Sequence, residues 1–282
     1  MANKILILGA SGFIGNNLYK ELSPYFEVFG TYCNNHKCYA ENQVFYKYSI
    51  EEDLLSPLLE ETKPEVIIAA INGPFASQLE AYKEIYSYAQ QHPACHILYI
   101  SSAKVFDAVS KFPCYENDKV KTTSSSGKFK ASAEKMLLEN IPNQTAILRL
   151  PWVLGVNSPA IFQLRQTIKH CAAFEVFPKL VISATTINKV AQQVHYIINQ
   201  RLIGIYHLAS DDVIHHEDLF KEITAKMGGK QPIFKSVFSS NDDQYKAILP
   251  KHNILPKSHS IAIAQVIEEC ALNEEILLLK EV

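Results

Sequence analysis

Short runs of continuous apolar residues alternate with longer stretches in which apolar positions return every three or four residues. The runs are KILILGA (4–10), VFGTY (28–32), VFYKYSI (44–50), EVIIAAI (65–71), HILYISS (96–102), TAILRLPWVLG (145–155) and GIYHLAS (204–210). Most have strand length, and their apolar residues are continuous rather than alternating with polar ones. Between them, NNLYKELS, EAYKEIYSYAQQ, KASAEKMLLEN and NKVAQQVHYIINQ carry the helical period. Strands apolar on both faces, alternating with helices, predict an α/β fold: a doubly wound parallel sheet with helices on both sides. The pattern changes after residue 211. HHEDLFKEITAKMGG reads as a helix, SVFSSNDDQYKAILPKHNILPKSHS as loop-rich chain, and a last helix follows. The spacing therefore predicts a sheet-bearing domain over 1–151 plus about 187–208. It leaves a smaller C-terminal α/β lobe over about 152–186 and 209–282.

The first strand runs directly into GASGFIG and then a helix, which places Gly9, Gly12 and Gly15 at the turn. Glycines there permit a tight turn and let backbone N–H groups approach a pyrophosphate at the helix N-terminus. That context points to nucleotide binding; the competing reading is a glycine-rich packing turn. A carboxylate about 20 residues on would receive a ribose 2′-hydroxyl. Here CNNHKC follows VFGTY, and no acid comes before Glu41. Asn34, Asn35, His36 and Lys37 suit a 2′-phosphate instead, which favours NADP(H) over NAD(H). Cys33, His36 and Cys38 match no zinc spacing, so no metal site is expected.

Composition narrows the function classes. The 282 residues are 48% hydrophobic and carry a formal net charge of −2, which gives no basic field for nucleic acid. No apolar run reaches the roughly 18 residues of a membrane span. MANKILILGASGFIG reads as a strand and turn rather than a secretory leader. The six cysteines are scattered and suggest no disulfide framework, so a cytoplasmic location is expected.

GASGFIG, YISSAKVFD, SGKFKASAEK, LRLPWVLG, GIYHLAS and ILPKHNIL together resemble the extended short-chain dehydrogenase/reductase family nearly end to end, in its dTDP-4-dehydrorhamnose reductase-like branch. The resemblance implies a Rossmann domain, a nicotinamide cofactor, and a small lobe that grips a nucleotide sugar or similar polar small molecule. It implies cofactor contacts at Gly9, Ser11, Gly12, Phe13, Ile14 and Gly15, and at Asn34 and Asn35. Ser49 and Ile50 fall in the ribose and adenine region. Ala69, Ala70, Pro151 and Val153 complete the cofactor set, the last two facing the nicotinamide. Lys104, Trp152 and Asn253 are the implied substrate contacts.

The catalytic motif is incomplete. Ser102 matches the hydroxyl that bonds the substrate carbonyl. Lys130 matches the lysine of the family's Tyr-x-x-x-Lys pair, which binds the nicotinamide ribose. Ser126 stands where the family has its proton-donating tyrosine. An unactivated serine hydroxyl is a far poorer acid than a phenol, and it is shorter by the depth of a ring. Tyr115, in YENDK, offers a literal Tyr-x-x-x-Lys, but it lies in a polar stretch with no helical period; Lys104 is a further candidate donor. Leu249 replaces the family's arginine, while Pro250 and Asn253 remain. Two functions follow: a reductase with an unusual proton donor, or a catalytically silent NADP(H)-binding relative serving as a regulatory subunit. A homodimer or a complex with a partner protein is left open.

Overall fold

A computed structural model describes residues 4–34, 39 and 42–272. The chain divides into two compact units. The first takes in residues up to 105, then 123–149 and 191–206; the second holds 106–122, 150–190 and the residues from 207 onward.

The first unit is built from β1 (Lys4–Leu8), α1 (Phe13–Leu22), β2 (Glu27–Tyr32), β3 (Phe45–Lys47), α2 (Ser56–Thr62), β4 (Val66–Ala69), α3 (Phe75–Gln91), β5 (His96–Ser102), α4 (Ser125–Asn140), β6 (Thr145–Leu150), α5 (Ile187–Asn199) and β7 (Gly204–His207). Seven strands form one sheet in the order β7-β6-β5-β4-β1-β2-β3. β1 pairs in parallel with β2 and β4, β2 with β3, and β4 with β5. Ile5, Leu6, Ile7 and Leu8 are all 0% exposed, so β1 is covered on both faces. That burial is why the strand runs are continuous rather than alternating. Leu8, Ile67, Tyr82, Ile85, Ile97, Tyr99 and Leu137 belong to one core cluster that joins the sheet to α3 and α4.

The chain leaves β1 toward β2 and β3, then returns to β4 on the other side. This reversal makes the β1/β4 boundary the switch point outside whose carboxyl end ligands bind in open α/β sheets. Two side chains fix loops on this scaffold. The Glu84 carboxylate accepts from the Leu55 and Ser56 backbone N–H groups and so caps α2 from α3. The Gln144 side-chain amide donates to the Ala89, His92 and Cys95 carbonyls and closes the end of α3.

The second unit has its own core, including Leu154, Ile161, Phe174, Val176, Phe220, Ile223 and Val266. Its strands are short. Trp152–Leu154 pairs with Ala184–Thr186, and Ala173–Val176 with Ile233–Ser236. Leu180–Ile182 lies between Ile214–His215 and Gln244–Lys246. Residues 106–122, which the strand–helix count leaves in the sheet-bearing part, group with this unit. The reason is backbone pairing that no sequence period announces. Cys114 N–H donates to Ala247 O, Leu249 N–H to Cys114 O and Tyr245 N–H to Ser110 O, each at 2.9 Å. The run TAILRLPWVLG is two strands rather than one. Pro151 has no N–H to give a ladder, so β6 ends before it and Trp152–Leu154 finds a different partner.

Candidate functional site

In the first unit the turn after β1 closes on itself through glycine. Gly9 has φ +83°, and a Cβ there would stand 2.6 Å from the Ala70 carbonyl oxygen. A Cβ at Gly15 would stand 2.2 Å from Gly9 O, so α1 can start this close to the turn only without one. Gly9 N–H donates to Thr31 Oγ1 at 2.9 Å and Ser11 N–H to Thr31 O at 3.3 Å, tying the turn to β2. Gly12 is the N-cap of α1 and no side chain caps it. The helix therefore presents its first amides, with their partial positive charge, as an anion site.

A cleft of about 310 Å³ opens there, lined by Gly9, Ser11 and Gly12, by Thr31–Asn34, by Tyr48–Glu51 and by Ala70–Gly73. Of the residues implied by the resemblance, Ser11, Asn34, Ser49, Ile50 and Ala70 line it together with Gly9 and Gly12, while Gly15 is buried inside α1. Phe13 and Ile14 form the first residues of α1, and Ala69 ends β4. Asn35, with His36, Lys37, Cys38 and Glu41, lies outside the described residues. Thr31, Tyr48, Glu51, Asn72 and Gly73 are liners the sequence reading did not name. Burial and the Glu84 and Asp53 carboxylates push the Tyr48 phenol up to about 12, so it lines the cleft as a neutral group. Gln78 holds the far wall: its side-chain N–H donates to Gly73 O at 2.7 Å. The glycine cradle and the uncapped helix start fit a phosphate-bearing ligand.

A second cluster stands at the end of β5, also in the first unit. Ser124 caps α4, accepting from Gly127 N–H at 3.1 Å, and thereby starts the helix that carries Ser126 and Lys130. Those two lie one turn apart on one face. Lys130 Nζ donates to Ile100 O at 2.9 Å and stands 4.9 Å from the centroid of the Tyr99 ring. Burial pulls the Lys130 ammonium down to about 8; Glu134 opposes that shift and the Lys104 charge adds to it. Ser102 ends β5, and its hydroxyl accepts from Lys104 N–H at 3.3 Å. Ser126 is half-buried and its hydroxyl has no protein partner among the described residues.

Behind this cluster lies an ion pair that the sequence reading did not find. Arg149 on β6 reaches Glu134 on α4 at 2.7 Å, and Ser101 donates to the same carboxylate at 2.5 Å. Arg149 is thus a structural, hydrogen-bonded arginine. Glu134 follows Lys130 by one turn, so the pair fixes the register of α4 against β5 and β6 and holds Lys130 over the strand end.

The remaining implied residues belong to the second unit. Pro151 precedes the strand Trp152–Leu154, which carries Trp152 and Val153. Trp152 is 36% exposed, and its ring meets His216 edge-on at 5.1 Å. Tyr115 sits in a turn where its own N–H donates to Asp118 Oδ2, and the Lys251 ammonium lies 4.6 Å from its ring centroid. The neighbouring Glu116 accepts from the Lys251 and His252 N–H groups, anchoring the stretch that leads to Asn253. Among the described residues no three or more His, Cys, Asp or Glu side chains are grouped to hold a metal ion. No described helix is long and apolar enough to cross a membrane.

Residues 3–268 match the family described as RmlD substrate binding domain. No curated protein matches the sequence. In structure the chain is similar to dTDP-glucose 4,6-dehydratase from Bacillus anthracis str. Ames in complex with NAD, at 14% identity and a TM-score of 0.78 over 96% of each chain. It is similar to dTDP-4-dehydrorhamnose reductase from the same organism in complex with NADP, at 18% identity and a TM-score of 0.74 over 95% of this chain and 97% of the other. It is also similar to a hypothetical dTDP-4-dehydrorhamnose reductase from Sulfolobus tokodaii, at 23% identity and a TM-score of 0.75 over 87% of this chain and 91% of that one. With a seven-stranded Rossmann-like sheet, a glycine turn at its switch point and a family match that covers nearly the whole length, the chain belongs to the RmlD substrate-binding domain family, in the dTDP-4-dehydrorhamnose reductase-like branch of the extended short-chain dehydrogenases/reductases.

Proposed function

We propose that this chain is an oxidoreductase of the extended short-chain dehydrogenase/reductase type that binds a nicotinamide dinucleotide in the cleft at Gly9–Gly15. Its substrate is a carbonyl on a nucleotide sugar or a similar polar small molecule. The observation that carries the reading is the pairing of that cleft with Lys130, held at the end of β5 by its bond to Ile100 O. Similar structures in complex with NAD and with NADP support the cofactor class. NADP(H) is preferred over NAD(H), because Tyr32, Cys33 and Asn34 at the end of β2 offer no carboxylate for a ribose 2′-hydroxyl.

When bound, the dinucleotide supplies the hydride. Gly9, Ser11, Gly12 and the first turn of α1 hold its pyrophosphate, Asn34 and Ser49 face its adenosine end, and Lys130 holds the ribose near the nicotinamide. Ser102 donates a hydrogen bond to the substrate carbonyl. Lys104, two residues after Ser102, is a proposed substrate contact.

A second reading rests on one residue. Ser126 at the family's tyrosine position favours a silent relative that binds the dinucleotide and acts as a regulatory subunit. NADPH fluorescence, followed by NADPH oxidation against a panel of 4-keto nucleotide sugars, separates the two. Turnover in the natural chain supports the reductase. Binding without turnover, with activity appearing only in Ser126→Tyr, supports the silent relative. Absence of nicotinamide or adenine nucleotide binding removes both.

A further inference from the structure

We propose that Lys130 itself gives the proton in the reduction, in place of the phenol that the family carries one turn earlier; this rests on the reductase reading above. The geometry comes first. Lys130 Nζ crosses the Tyr99 ring and reaches Ile100 O at 2.9 Å. Ile100 lies two residues before Ser102, so the ammonium is held against the carboxyl-terminal half of β5, the strand that ends in that hydroxyl. An ammonium has three N–H groups, and Ile100 O takes one of them.

The other hydroxyls of this cluster are poor acids. Tyr99 and Tyr82 are buried in the core, and burial drives both phenols far above their ordinary range. The Tyr99 hydroxyl is enclosed, and its ring meets that of Tyr82 edge-on at 5.2 Å. Ser126 has an ordinary alcohol, and no base or acid bonds it among the described residues.

The charged groups around Lys130 come from each element packed on it. Glu134 follows it on α4 and favours the ammonium; Arg149 from β6 occupies that carboxylate at 2.7 Å. Lys104, just after β5, repels it, and the Tyr99 ring from β5 helps keep water off it. Burial is the largest of these effects, and the ammonium ends near 8. It is therefore protonated at neutral pH and gives up its proton far more readily than a solvated lysine near 10.4.

The step balances. When bound, the reduced dinucleotide would supply the hydride to the carbonyl carbon and be left oxidised, with the C=O π pair going to oxygen. The Lys130 N–H bond breaks and an O–H bond forms on that oxygen. The neutral amine then takes a proton from solvent.

The first test needs no turnover. Lys130, ¹³C-methylated and identified by its missing signal in Lys130→Arg, is titrated by NMR with and without Lys104→Met. The expected midpoint lies near 8. It moves up in Lys104→Met, because a like charge has gone. A midpoint at the ordinary lysine value, or one unmoved by Lys104→Met, overturns the proposal. The second test is kinetic. Reduction falls as pH rises through that midpoint, and Lys130→Arg lowers kcat, measured at saturating NADPH, by about 10²–10⁴-fold. A Lys130→Arg kcat close to wild type overturns the proposal and leaves the reductase reading standing. NADPH binding without reduction of any carbonyl overturns the proposal but keeps the cofactor site. Failure to bind dinucleotide removes the reading beneath it.

Discussion

Arg149 and Glu134 meet at 2.7 Å with only 3% and 4% of their side chains exposed, and they join β6 to the helix that carries Lys130. Removing one partner of a buried ion pair strands the other charge in a low-dielectric site. Arg149→Met or Glu134→Gln is expected to lose about 3–5 kcal/mol of stability, measured by urea unfolding. A double-mutant cycle is expected to show strong coupling, with the double variant less destabilised than the sum of the singles. Additive losses would mean that the pair does not act as a unit.

Lys130 is costly to bury. Its ammonium is pulled from 10.5 to about 8 in the fold. Between those values the unfolded chain binds more protons than the folded one, so stability rises with pH across that window. Lys130→Met is expected to flatten the rise and to be more stable than the natural chain at pH 7 by on the order of 1 kcal/mol. Denaturant midpoints at pH 7, 8.5 and 10 check this, and a less stable Lys130→Met at pH 7 would contradict it.

Two buried histidines set the acid limit. Burial holds His96 and His216 down from 6.5 to about 4, so each stays neutral in the fold at neutral pH. The unfolded chain takes up these protons near 6.5 and the folded chain only near 4. Stability therefore falls as pH drops through this window, by about 2 kcal/mol for each histidine at pH 5. Thermal unfolding at pH 7 and pH 5 measures the loss, and His216→Phe is expected to remove its share. An unchanged pH slope in that variant would exclude His216 as a source.

The glycine turn has no slack. Gly15→Ala puts a methyl group 2.2 Å from Gly9 O, a backbone atom that can yield only if α1 shifts. A loss of about 1–3 kcal/mol in stability is expected, with at least a tenfold loss of NADPH affinity by fluorescence titration. Gly228→Ala is the control, because a Cβ there meets nothing within 4 Å. It carries only the strain of its φ of +69° and is expected to bind dinucleotide normally.

The sheet is legible in the sequence because a strand buried on both faces has no polar alternation; Ile5 to Leu8 show this directly. Gly9 and Gly15 are legible because their positions reject any side chain. The break at Pro151 is also in the sequence, as a residue without an N–H inside an apolar run. The Glu134–Arg149 pair is not. Fifteen residues separate the two, and only the docking of α4 beside β6 brings them together. The same holds for Thr31, whose hydroxyl meets Gly9 through sheet pairing. Residues 106–122 join the second unit through backbone bridges, which any side chains could accompany.

The chain passes from one unit to the other at 105/106, 122/123, 149/150, 190/191 and 206/207. No single cut therefore releases either unit whole. The order of synthesis follows from this. A ribosome adds about 5–20 residues per second, and the seven-stranded sheet lacks its edge strand until residue 207 has been made. The glycine turn is translated before β2 to β7, yet the sheet that holds it is complete only when the last of these has been made. Premature termination between β6 and β7 leaves an open β6 edge, a template for aggregation.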